Sequence, residues 1–101
     1  MKKTVIVILA VLIVFMLLHA SPTIALRTEV MLMGYPKAAL TSGIILDEYH
    51  NKVDKKKFTE LHATAYTLTK PPTEKATQGE LLNFLVRKIW FLYFAKYYGE
   101  P

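Results

Sequence analysis

TQGELLNFLVRKIWFLYFAKYYGEP, Thr77 to Pro101, is the stretch on which the reading of this chain turns. Seven of the twelve aromatic residues fall between Phe84 and Tyr98, among three cations (Arg87, Lys88, Lys96) and no acid. Thr77-Gln78-Gly79-Glu80 has the form of a capping box ahead of an apolar run. The threonine hydroxyl can accept from the amide of Glu80, and the carboxylate can reach back to the threonine amide. This spacing predicts a helix from about Gln78 to Tyr98, stopped by Gly99. At 100° per residue Leu81, Leu85, Ile89, Leu92 and Tyr93 share one face. Phe84, Phe91 and Phe94 take the other, interleaved with Arg87 and Lys88, and Trp90 and Tyr97 lie between.

Such a helix is apolar nearly all round, and one face can close over a core. Three phenylalanines on the second face carry roughly 450 Å² or more. A typical monomer exposes no larger apolar patch than about 300–600 Å². The expected contact surface for a membrane or a partner is therefore Phe84, Arg87, Lys88, Trp90, Phe91, Phe94 and Tyr97. Two charges in mid-segment oppose spanning. Lying in the headgroup layer suits aromatics and snorkelling lysines better.

Upstream, KPPTEKATQG (residues 70–79) reads as a linker, stiffened by two consecutive prolines. Ile44–His50, IILDEYH, and Phe58–Thr69, FTELHATAYTLT, have strand chemistry and read as a β-hairpin across a lysine-rich loop. Phe58, Leu61, Ala65 and Leu68 fit a helical stripe as well, so the second run can be a helix. A short helix begins at Pro36 and closes at Gly43, and another stretch ends at Gly34.

The N-terminus is MKKT followed by fourteen uncharged apolar residues, Val5 to Leu18. A basic start, an apolar stretch and small residues at a cut site make a secretory signal, with Thr23-Ile24-Ala25 as the first cleavage candidate and Leu18-His19-Ala20 a poorer second. The rival is a retained anchor: no charge occurs from Thr4 to Leu26, and a bilayer core takes about 20 residues. Ser21-Pro22 also spells the start of a helix running to Met33. Either way Lys2 and Lys3 stay in the cytoplasm and the body lies outside.

These readings divide the chain into a signal or anchor (1–25), a small extracytoplasmic α+β body (26–69), the linker (70–79) and a C-terminal aromatic helix (80–101). Residues 26–101 make a small domain with a marginal core. The absence of cysteine removes disulfides and thiolate metal sites. Net charge is +5, which suits an anionic surface, and an exported chain rarely meets nucleic acid.

Catalytic motifs are missing. Ser21 and Ser42 lack nucleophile context, and the four glycines form no phosphate loop. Asp47, Glu48, His50 and His62 could ligate zinc if a hairpin brought the histidines together, but no ligand spacing supports it. No cofactor is expected. The sequence reads as a small exported, membrane-anchored, non-enzymatic protein whose partner is the bilayer, a membrane protein or a second copy. The alternatives are a secreted cationic membrane-active effector and a histidine-dependent metal-binding protein.

Overall fold

The structure, a computed structural model, describes residues 1–74 and 78–98. It is an α+β fold of five helices and four strands among the described residues. Helix α1 (Lys2–Leu18) buries none of its residues. Helix α2 (Pro22–Leu32) starts as the sequence predicts: Ser21 is its N-cap, and the Ser21 hydroxyl accepts from the Ile24 amide at 3.1 Å. Gly34, at φ 100°, takes the left-handed turn that ends it. Helix α3 (Pro36–Thr41) follows with proline at its first position.

Strand β1 (Ile44–Leu46) pairs antiparallel with β2 (Ala63–Leu68), so the expected hairpin partners do meet. Its interior differs from the expectation. Asp47 caps helix α4 (Glu48–Val53), and helix α5 (Lys55–Leu61) takes up the start of the second run. Residues 58–69 are therefore helix first and strand after. His62 makes the switch in a left-handed conformation, φ 53°. Beyond Leu46 the Asn51 side chain continues the sheet edge. Its carboxamide donates to the Ala65 carbonyl at 3.0 Å and accepts from the Ala65 amide at 2.8 Å, as a neighbouring peptide would.

The C-terminal segment corrects the main expectation: it is no helix. Asn83–Ile89 forms β3 and Leu92–Tyr97 forms β4, completing an antiparallel sheet of order β1-β2-β3-β4. Thr77 and Gly99, on which the capping box and the helix stop were placed, lie outside the described residues. Glu80 sits in a bridge with Thr73 rather than in a first helical turn. The pattern misleads because the first half of β3, Asn83 to Val86, is covered on both faces. Phe84 and Val86 join Leu26, Val30 and Ala39 of α2 and α3, whereas Leu85 packs with Phe58 of α5 and with Ala65. A strand with both faces buried reads as a continuous apolar run. The abundant Phe, Tyr, Trp, Val and Ile then favour the pleat.

Small brackets hold the layers together. The buried Ser42 hydroxyl donates to the Gly43 carbonyl and accepts from the Lys70 amide, both at 3.0 Å. The proline segment is thereby tied back to the body.

Candidate membrane-contact site

Helix α1 meets α2 through an elbow at His19–Ser21, where the two axes bend by 109°. No single helix among the described residues is long and apolar enough to cross a membrane. The two helices together have the length and composition, but Leu26 and Val30 of α2 sit in the core at 0% and 1% exposure. Straightening the pair would pull both out.

The elbow is fastened to the sheet. The His19 carbonyl accepts from the Tyr93 amide at 2.8 Å, on the edge of β4. The His19 ring stacks on Phe15, 4.3 Å between centroids, and lies 4.8 Å from the Phe94 ring. Moving toward the β3–β4 turn, Phe91 and Leu92 line an apolar trough of about 380 Å³ with Ile13, Met16, Leu17 and Ala20. The hairpin thus runs back along α1, toward its N-terminus, for more than one helical turn.

The turn itself is two residues, Trp90 and Phe91, between the paired Ile89 and Leu92. Trp90 is 85% exposed and holds φ 62°, a conformation normally given to glycine at the first central position of a tight hairpin turn. For a side-chain-bearing residue that conformation costs about 1–2 kcal/mol. Phe91 is also exposed and meets the indole edge-on at 4.8 Å. Exposed Arg87 and Lys88 stand just before them. The Arg87 Nε donates to the Leu61 carbonyl at 3.1 Å, and the Lys88 ammonium lies 5.6 Å from the Tyr93 ring centre.

The seven expected contact residues therefore separate into groups. Arg87, Lys88, Trp90 and Phe91 come together at the turn. Phe94 is half-buried beside Phe15 and His19. Phe84 is fully buried and Tyr97 half-buried against it, rings 5.6 Å apart; Phe84 is a core residue, which corrects its placement on the contact surface. The sequence reading missed Phe15 and His19, whose signal is a histidine ending an apolar run. Ala25, the first cleavage candidate, lies inside α2 at 2% exposure, followed directly by buried Leu26.

The candidate ligands for zinc take structural positions. Asp47 Oδ1 accepts from the His50 amide at 3.1 Å, and its other oxygen pairs with His50 Nδ1, both side chains being buried. Glu48 lies in the first turn of α4, and His62 is the exposed C-cap of α5. Among the described residues no three His, Asp or Glu side chains group as a metal site would.

A profile match over residues 1–99 defines the class of chain to which this fold is attached. The chain belongs to the YjcN family. No curated protein and no solved structure matches it.

Proposed function

We propose that this is a small exported, non-enzymatic protein held at the outer face of a membrane by α1, with the β3–β4 turn directed at the bilayer. The observation that carries the reading is α1: seventeen residues, apolar from Val5 onward, with none buried against the body. Hydrocarbon surface of that extent is stable in lipid and costly in water. Its length is about 25 Å at 1.5 Å per residue, against a hydrocarbon core of about 30 Å. Lys2 and Lys3 can snorkel at the inner surface, and local thinning accommodates the rest. Their charge favours the orientation with the body outside.

A non-enzymatic role is supported by how the polar residues are used. Ser42 serves the backbone, and Asp47 serves the cap of α4 and the imidazole of His50. The test uses the cysteine-free sequence. A single Lys56→Cys substitution in the full chain is labelled on intact cells with a membrane-impermeant maleimide. Membranes are then extracted with alkaline carbonate, and the N-terminus of the recovered protein is sequenced. Labelling from outside, retention in the membrane and an N-terminus that includes α1 are expected. Labelling only after lysis, or recovery in the aqueous fraction, sinks the proposal. A mature chain starting at Ser21 or Leu26 in the medium would favour the secreted effector instead.

A further inference from the structure

We infer that the Trp90–Phe91 turn is a second membrane contact, a wedge that enters the interface of an anionic phospholipid bilayer beside α1, with Arg87 and Lys88 on the lipid phosphates. The inference rests on the anchoring by α1 proposed above and adds a site, its ligand and its depth.

Three independent observations converge on this turn. The first is position. In the β3–β4 register Arg87 faces Phe94 and Lys88 faces Tyr93. Those partners lie at the C-terminal end of α1, through the Tyr93–His19 hydrogen bond and the Phe94 ring beside Phe15 and His19. With α1 in a bilayer, this level is that of the headgroups. Trp90 lies two residues beyond Lys88, about 7 Å further along the strand direction at about 3.4 Å per residue. Phe91 accordingly lines the same apolar trough as Ile13, Met16 and Leu17, which lie within the apolar length of α1. Interfacial elements bury their apolar faces about 5–10 Å deep.

The second observation is charge. The cations stand at headgroup level, and the four turn positions beyond them, Ile89 to Leu92, carry none. Anionic lipid attracts each such residue by about 1 kcal/mol near the surface. The third is strain. A tight turn that glycine would form without cost holds instead a tryptophan with most of its surface exposed. Tryptophan is the side chain that most favours the membrane–water boundary. A second copy or a protein groove would satisfy the apolar tip, but neither explains why it lies along the apolar length of α1.

Trp90 is the only tryptophan, so intrinsic fluorescence reports this turn alone. The full chain is reconstituted into vesicles of phosphatidylcholine with or without phosphatidylglycerol. Its emission, its quenching by iodide and its quenching by lipids brominated at shallow and deep acyl positions are recorded. A blue-shifted emission, at least twofold protection from iodide and stronger quenching by shallow than by deep bromines are expected. An Arg87→Ser, Lys88→Ser double variant should lose the dependence of that protection on phosphatidylglycerol.

A Trp90 that remains open to iodide and untouched by bromine, in a protein that stays carbonate-resistant, overturns the wedge and leaves the anchor standing. Protection from iodide without bromine quenching, together with a dimer in sedimentation, overturns it in favour of a second copy. Failure of the chain to stay with the vesicles at all marks failure of the anchor instead.

Discussion

The Tyr98 hydroxyl donates to Oδ2 of Asp54 at 2.9 Å, fastening the residue after β4 to the joint between α4 and α5. The Tyr98 ring also meets Phe58 and His50 edge-on, at 5.4 and 5.3 Å. Burial, and then the Asp54 carboxylate, raise the Tyr98 pKa above the usual tyrosine value. Burial, and then Tyr93, do the same for Tyr66. A raised folded-state pKa means that the unfolded chain loses its phenolic protons first. The stabilisation is complete below about pH 10 and is lost as pH rises from there through the folded values. Tyr98→Phe should cost about 1 kcal/mol at pH 7, and the gap to wild type should narrow above pH 10. Urea unfolding of the full chain in mild detergent at pH 7 to 11 measures this. A gap independent of pH would contradict it.

Asp47 carries two duties, the cap of α4 and the partner of a buried imidazole. Capping alone is worth about 0.5–2 kcal/mol, and an orphaned buried polar group adds about 1–3. Asp47→Ala should therefore destabilise by about 2–4 kcal/mol, and Asp47→Asn, which keeps an acceptor oxygen, by clearly less. Equal losses in the two unfolding curves would mean that the retained acceptor oxygen contributes nothing, and would remove the cap from the account.

Gly43, just before β1, is paired with Thr69, just after β2, whose amide donates to the Gly43 carbonyl at 2.9 Å. A methyl group there would stand 2.6 Å from the Thr69 hydroxyl oxygen, which accepts from the Gly43 amide at 2.9 Å. Thr69 is β-branched and cannot give way without losing that bond. Gly43→Ala should cost about 1–3 kcal/mol. Gly43→Ala combined with Thr69→Ser, whose slimmer side chain can rotate, should recover part of it in the same assay.

Phe84 and Trp90 should behave oppositely. Phe84→Ala empties the centre of the core and should cost about 3–5 kcal/mol, seen as loss of the cooperative transition. Trp90→Gly relaxes the left-handed turn and should leave stability unchanged or raise it by up to about 1 kcal/mol. A Trp90→Gly chain that unfolds early would mean that the indole supports the fold.

What could be read in advance follows from local chemistry. Ser21-Pro22 and Gly34 bound α2, and Pro36 starts α3, because caps and breakers act within a few residues. β1 was legible in Ile44 and Ile45, but the strand reading ran too far, since Asp47 is a helix cap as readily as a strand-end polar residue. The C-terminal segment was misread for two physical reasons. A strand covered on both faces shows no alternation, so Phe84-Leu85-Val86 matches a helical stripe as well as a buried strand. The hairpin turn also lacks the Gly, Asn or Asp that ordinarily marks one, and nothing in Trp90-Phe91 announces a reversal. Arg87, Lys88, Trp90 and Phe91 still come together at one exposed turn, because aromatic density beside cations does not depend on which backbone presents it.

The position of β3 in the chain also sets when the protein can fold. This strand lies between β2 and β4 and supplies Phe84, Leu85 and Val86 to the two clusters on either side of the sheet. Synthesis proceeds from the N-terminus, so Leu26, Val30, Phe58 and Ala65 wait for residues 83–89 before either cluster can close. Until then the polypeptide remains an open thread, and neither cluster can seal while residues 83–89 are still inside the ribosome.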